Sequence, residues 1–157
     1  MMNDYMRIAK ELADNNLITN DGGPFGACIV KDGKIIGRGS NSVIKNNDPT
    51  AHAEVMAIRD ACKNINSFDL TGCELYTTCY PCPMCLSAIM WSNITKIYYG
   101  NTKEDADNIG FRDKFIYDTI DKLNNNEGTS LELKCIDREE TIKSFEEYMQ
   151  KQDRATY

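Results

Sequence analysis

Apolar residues recur every three or four positions in several stretches of the 157-residue chain, a spacing typical of helices with one buried face. This spacing predicts four helices, over residues 3–13, 51–63, 81–92 and 139–151. Asp48-Pro49 followed by Thr50 favours a helix entry with Thr50 as N-cap, and Pro83 is of a type favoured in a first turn. A shorter helical piece is predicted within residues 111–120.

Between these helices lie short apolar runs that are typical of buried strands. They predict five strands, over residues 25–30, 34–41, 74–78, 96–99 and 131–136. Asp32-Gly33 joins the first two as a hairpin, because Asp-Gly readily takes the positive φ angles of such turns. Helices that alternate with strands predict an α/β fold of three layers, α/β/α, in one domain over residues 1–157.

The net charge and the absence of long apolar runs argue against nucleic-acid-binding, membrane and secreted classes of protein. The formal net charge is −6 and the sequence pI is near 4.8, so a large nucleic-acid footprint is disfavoured. No run of 18 apolar residues is present, and residues 1–10 lack the apolar core of a signal peptide. We therefore expect a cytoplasmic protein with no membrane partner.

Seven cysteines give an odd count, which argues against a disulfide framework in such a protein. Reduced thiols, some of them metal ligands, are the better interpretation. Four cysteines fall in or beside apolar runs and are expected to be small buried hydrophobic residues: Cys28, Cys62, Cys73 and Cys135.

The chemistry is concentrated in two segments, His52-Ala53-Glu54 and Pro81-Cys82-Pro83-Met84-Cys85. One imidazole and two thiolates leave the fourth tetrahedral position of a zinc ion open, which is typical of catalytic sites. We therefore predict His52, Cys82 and Cys85 as zinc ligands, on two helix starts that favour thiolate.

Glu54, two residues from a predicted ligand, is expected to be the acid/base that moves protons. Two other interpretations stay open at this point. Cys79 could be a fourth ligand that closes a structural zinc site, and Glu54 could be a solvated carboxylate on a helix face.

H-x-E followed by P-C-x-x-C is the signature of zinc deaminases. With its flanking segments, the chain resembles the cytidine-deaminase-like superfamily and, within it, the small bacterial guanine deaminases. The resemblance covers nearly the whole chain and rests on these segments: residues 22–27 (GGPFGA), 47–54 (NDPTAHAE), 81–85 (PCPMC), 110–113 (GFRD), 115–117 (FIY) and the terminal Tyr157. Tyr80 departs from the family, which often has Glu before the Pro-Cys pair.

The resemblance implies a cytidine-deaminase-like fold with a central mixed five-stranded sheet, one zinc ion per chain, and deamination of guanine to xanthine and ammonia. It also implies a homodimer in which residues 137–157 are exchanged and Tyr157 closes the partner's site. The substrate-binding residues that follow from it are Phe25, Asn41, Asp113 and Tyr157, and we predict Ala53 and Trp91 as further substrate-binding residues. Asn41 and Asp113 could instead serve turns or caps, Phe25 could be core, and Trp91 could simply pack.

Rival functions share part of this pattern. A tRNA adenosine deaminase has the same zinc motifs but needs cations along the RNA backbone. Residues 137–154 carry six acidic and four basic side chains, which does not suit RNA. Another small substrate, such as guanosine, cytosine or a triazine, stays open. A non-catalytic zinc-stabilised interaction module is disfavoured by Glu54.

Overall fold

The computed structural model describes all 157 residues, which form four strands and seven helices. In chain order they are α1 Asp4–Thr19, β1 Gly26–Lys31, β2 Lys34–Ser40, α2 Val43–Asn46, α3 Ala53–Ile65, β3 Glu74–Cys79, α4 Pro83–Trp91, β4 Lys96–Asn101, α5 Lys103–Asn108, α6 Asp113–Asn124 and α7 Arg138–Gln150. The chain divides into two compact units, Met1–Asp118 and Thr119–Tyr157. No helix is both long and apolar enough to cross a bilayer.

The sheet of the first unit is mixed, with strand order β2-β1-β3-β4. β1 pairs antiparallel with both β2 and β3, whereas β3 and β4 are parallel. A parallel pair needs a crossover connection, and α4 provides it. The sheet therefore has the predicted α/β character.

The predicted fifth strand, residues 131–136, is wrong. This segment has no strand pairing, and its apolar residues Leu131, Leu133 and Ile136 are exposed. Cys135 in the same segment is exposed too, so the prediction that it is a buried residue is wrong. Alternation alone specifies a strand only when a neighbouring backbone supplies hydrogen bonds and one face is buried. Neither condition holds here, so the sheet has four strands.

Helices cover both faces of the sheet in the first unit. Successive side chains of β1 point to opposite faces, so Ala27 and Ile29 pack with α3 residues such as Ala57, whereas Cys28 and Val30 pack toward Tyr5 of α1. A side chain at Gly39 would collide with the backbone oxygen of Ala53. Glycine there allows the start of α3, where the chemistry lies, to approach β2 closely.

Several predicted boundaries shift. α3 begins at Ala53 with His52 as its N-cap, and the predicted N-cap Thr50 is wrong. Thr50 instead donates its hydroxyl and its backbone N–H to the Asp48 Oδ1, at 2.6 and 2.8 Å, in a local turn. α1 extends six residues beyond its predicted end. The short helices α2 and α5 were not predicted, because four to six residues are too few to show a period.

The second unit is a small helical segment with little buried surface. α7 has no buried residue, and its apolar side chains Phe145, Tyr148 and Met149 are exposed. After α7, the Arg154 guanidinium donates to the Met149 backbone oxygen at 2.8 Å. The Tyr148 hydroxyl contacts the Ala155 backbone oxygen. These local bonds give the last residues a defined path within this unit.

Candidate active site

Two helix starts bring the three predicted zinc ligands together. His52 is the N-cap of α3, Cys82 is the N-cap of α4, and Cys85 lies in the first turn of α4. The Nδ1 of His52 lies 3.5 Å from the Cys82 Sγ and 3.6 Å from the Cys85 Sγ. The three ligand atoms all lie within 4.8 Å of one another. One nitrogen and two sulfurs grouped in this way fit a zinc ion, which binds both donor types tetrahedrally.

The environment of the two thiols favours negative charge on the pair. Hydrogen bonding from the Cys85 thiol and from His52 lowers the pKa of Cys82 to about 4. That same bond to Cys82, with burial, raises the pKa of Cys85, so one thiolate and one thiol share a proton. Both sulfurs sit at the start of α4, where the unpaired backbone N–H groups give positive potential. A zinc ion held here would favour the thiolate form of both cysteines, because zinc binds thiolate.

Cys79 is not part of the ligand cluster, although it borders the same cavity. Its thiol points to the Thr102 backbone oxygen, 3.5 Å away. Burial is the main cause that raises the pKa of Cys79 to about 12. The alternative of a closed, four-ligand structural site with Cys79 is therefore not supported by the geometry.

Glu54 lies in the first turn of α3 and is 6% exposed, so it is not a solvated helix-face carboxylate. Its Oε1 accepts a hydrogen bond of 3.1 Å from the Thr77 hydroxyl on β3. Burial is the main cause that raises the pKa of Glu54 above its ordinary value. A carboxyl group in such surroundings is suited to accept a proton and give it back.

A single cavity joins this acid/base to the ligand cluster. It is lined by Phe25, Asn41, His52, Glu54, Cys79, Tyr80, Cys82, Phe111 and Asp113. The Phe25 and Phe111 rings meet edge to face, with centroids 4.8 Å apart, and form its apolar wall. The half-buried carboxyl of Asp113 begins α6, and burial raises its pKa.

Asn41 is held at the cavity by backbone contacts on both sides. Its N–H donates to the Phe25 oxygen at 3.0 Å, and its side-chain Oδ1 accepts from the Val43 N–H at 3.2 Å. The Asn41 Nδ2 makes no hydrogen bond within the chain, which leaves it as a donor to a bound molecule. Asn41 therefore combines a turn-stabilising role with a position on the cavity wall.

Three predicted substrate residues are not among those that line this cavity. The Ala53 methyl group is fully buried in the core, so only its backbone could reach the cavity. Trp91 is 65% exposed at the end of α4 and borders a separate surface cavity with Met90. Helical geometry explains this position. Trp91 lies six residues after Cys85, so its side chain points about 120° away from the side of α4 that carries Cys85. Tyr157 belongs to the second unit and is 80% exposed.

Other residues of the site did not emerge from the sequence. Thr77 follows Leu75 by two positions in β3, so strand alternation places both side chains on the same core-facing side. This alternation is the only feature of the sequence that could have pointed to Thr77. Phe111 gave no signal beyond its place in a family segment. Asn16 of α1 is buried and donates to the backbone oxygens of Gly23 and Asn41, at 2.8 and 2.7 Å. Only the folded chain brings these segments together.

Comparison with known proteins agrees with this geometry. Residues 2–101 match the family model of the cytidine and deoxycytidylate deaminase zinc-binding region. The chain belongs to this deaminase family. The matched region contains every member of the ligand cluster and Glu54.

The relatives of this chain include proteins named guanine deaminase and proteins named tRNA-specific adenosine deaminase. Guanine deaminase from Bacillus subtilis is 52% identical over 118 residues, which cover 75% of this chain and 76% of the relative. The X-ray structure of guanine deaminase from Bacillus subtilis superposes with a TM-score of 0.88 at 42% identity, over 99% of each chain. A tRNA-specific adenosine deaminase from Aquifex aeolicus is 51% identical over 76 residues, 48% of this chain and 50% of the relative.

Proposed function

We propose that this deaminase hydrolyses guanine to xanthine and ammonia with the help of one zinc ion per chain. The observation that supports this proposal most directly is a single cavity, which is lined by members of the His/Cys/Cys cluster, a buried carboxyl group and two aromatic rings. The similarity to guanine deaminase over 99% of the chain supports the choice of guanine.

His52, Cys82 and Cys85 would hold the zinc ion, because their ligand atoms lie together where two helices begin. When bound, zinc would lower the pKa of a water molecule and so supply hydroxide for hydrolysis near neutral pH. The protein contributes ligands held on two rigid helix starts, with α3 and α4 packed together behind them. This rigidity fixes the distance between the metal position and Glu54.

Glu54 moves the protons of the reaction. It takes one proton from the attacking water and gives it to a ring nitrogen of the base. It then takes the second proton of the same water oxygen and gives it to the amino group, so that the C–N bond breaks and ammonia leaves while the C=O bond of xanthine forms. The cavity places its carboxyl group beside the ligand cluster, and burial lets it hold the proton between the two transfers.

The remaining cavity residues suit a flat, polar base. Phe25 and Phe111 offer an apolar surface to a ring, and the Asn41 Nδ2 offers a donor. Asp113 offers an acceptor to N–H groups on the base edge. Ala53 would contribute only through its backbone, because its methyl group is in the core. Trp91 would contribute only in an oligomer, because in the single chain it borders a separate cavity.

We propose in addition that two chains form a homodimer in which residues 137–157 of one chain cover the site of the other, with Tyr157 as the closing residue. The exposed apolar side of α7, formed by Phe145, Tyr148 and Met149, supports this exchange. Exchange of a terminal segment is a low-cost route to a two-fold dimer, and a cover over the site excludes water during the reaction.

Mixing two inactive variants tests the exchange. We expect that a Glu54→Ala chain and a chain lacking residues 155–157 regain activity together, because one site of the mixed dimer then has both parts. The molar mass in solution should be that of a dimer. A fully active monomer, or a truncated chain as active as the intact one, contradicts the exchange.

The test of the main proposal is a screen for ammonia release from guanine, guanosine, cytosine and a tRNA anticodon stem-loop. We expect release from guanine alone, in the cytoplasmic, thiol-reducing conditions in which the seven free cysteines are stable. Release from the RNA without release from guanine would assign the chain to tRNA adenosine deamination, in keeping with its relatives of that function. Release from guanosine but not guanine would make it a nucleoside deaminase.

A further inference from the structure

One hydrogen bond at the site has no part in the zinc signature. The hydroxyl of Thr77 donates to the Oε1 of Glu54 across the gap between β3 and α3, at 3.1 Å. Both groups are almost fully buried, with Thr77 1% exposed and Glu54 6% exposed. We infer that Thr77 is a positioning residue that sets the orientation of the Glu54 carboxyl group for proton transfer. This inference rests on the proposed role of Glu54 as the acid/base.

Thr77 lies on a central strand of the sheet. β3 lies between β1 and β4, and Thr77 is in register with Ala27 on one side and Tyr99 on the other. Its backbone is therefore held from both sides. A β-branched side chain also has few χ1 rotamers, so the hydroxyl has a nearly fixed position. The acid/base is thus oriented from a central strand and not from a mobile loop.

Glu54 needs such a partner because its last torsion is soft. The carboxyl group of a glutamate turns about a broad, roughly two-fold potential, so burial alone does not set its plane. The hydrogen bond to Oε1 restricts that plane, together with the hydrogen bond between the Cys85 thiol and the same carboxyl group. The Thr77 hydroxyl can donate to a carboxylate and can accept from a carboxylic acid, so it fits both forms that proton transfer requires.

The neighbouring residue shows that the bond is not a general property of hydroxyls in this strand. Thr78, also buried, points to the opposite face, and its hydroxyl accepts from the Gly26 N–H at 3.1 Å. It joins two strands and makes no hydrogen bond to Glu54. Thr78→Val is therefore a matched control that removes a buried strand hydroxyl without touching the acid/base.

The test compares Thr77→Val, Thr77→Ser and Thr78→Val with the wild type, all loaded with zinc and assayed for ammonia release. Valine keeps the shape of threonine, so we expect kcat to fall roughly 10- to 100-fold, the worth of a hydrogen bond to a charged group, with KM within about twofold of the wild type. Thr77→Ser should keep most of the rate. Zinc content and xanthine affinity measured by calorimetry should not change in any variant.

A merely structural role predicts a different pattern. In that case Thr77→Val would lower the melting temperature as Thr78→Val does and would leave kcat within about twofold of the wild type, which would overturn the inference. Equal losses in Thr77→Val and Thr77→Ser would overturn it as well. In a Glu54→Gln background, Thr77→Val should change the residual rate by less than about twofold, because the group it positions is gone.

Failure of the proposed substrate can be recognised separately. It appears in the wild type, as ammonia release from another base in the screen and none from guanine. The variant comparison is then made with that base and carries the same expectations, because the Thr77–Glu54 bond does not involve the substrate.

Discussion

Two kinds of helix start coexist in the first unit. α1 and α5 begin with capping side chains: Asn3 accepts from the backbone N–H groups of Tyr5 and Met6, and Thr102 forms a reciprocal capping box with Asp105. α3 and α4 begin with His52 and Cys82, which have N-cap backbone angles but make no side-chain cap bond. Of these four helix starts, the two that carry the predicted zinc ligands are the two that lack a cap bond, although the short helix α2 also starts without one.

The reason lies in the unpaired N–H groups of a first turn. A capping oxygen satisfies one of them and stabilises the helix by about 1 kcal/mol. At α3 and α4 the position is occupied by a proposed zinc ligand instead, and the positive end of the helix remains available to thiolates. A bound cation would compensate for the missing cap, because metal binding to the folded state stabilises it.

The largest loss of activity should come from removing a proposed zinc ligand at the start of α3 or α4. We expect Cys82→Ser to lose its zinc and all measurable activity, and chelation of the wild type to do the same until zinc is restored. Elemental analysis and ammonia release measure both. The control is Cys135→Ser, an exposed cysteine outside the cluster, which should keep zinc and rate. Folded, active protein without zinc would contradict the proposed chemistry.

The next effect concerns the first turn of α3. Glu54→Gln keeps the size of the side chain but cannot carry the proton, so the rate should fall at least ~100-fold while zinc content stays at one per chain. Steady-state kinetics and metal analysis on the same sample provide the check. A variant that loses zinc in proportion to its rate would show that Glu54 supports the metal and does not move protons.

A smaller effect, on the free energy of unfolding, should measure how much stability α3 would gain from a capping side chain. With zinc removed by a chelator, His52→Asn should be more stable than His52→Ala by ~1 kcal/mol, because asparagine caps the helix and alanine does not. Urea denaturation gives both values. Equal stabilities would mean that the backbone at this position does not let a side chain reach the N–H groups of the turn.

The smallest effect is expected at the capped helix starts. Asn3→Ala should lower the free energy of unfolding by ~1 kcal/mol through loss of the cap on α1, with unchanged zinc content and kcat. Thr102→Ala is the companion variant for α5, where the cap bond of 3.2 Å to Asp105 is lost. A fall in kcat without a loss of stability would show that these starts also serve the chemistry.

Much of the chemistry could be predicted because it depends on residue type and spacing. H-x-E and P-C-x-x-C predict three zinc ligands and an acid/base at the starts of two helices, and local helix geometry brings Cys82 and Cys85 to one side. The hairpin at Asp32-Gly33 and the four paired strands followed from similarly local rules. The common physical reason is that such signals act over a few residues of backbone.

What only the tertiary structure decided depends on contacts between distant segments. Residues 131–136 alternate like a strand but find no partner, whereas Cys79 has the chemistry of a ligand but turns to Thr102. The bond of Thr77 to Glu54 spans 23 positions, and that of Asn16 to Asn41 spans 25. Packing of the helices on the sheet brings these groups within reach, because hydrogen bonds form only over about 3 Å. Local sequence does not encode such proximity.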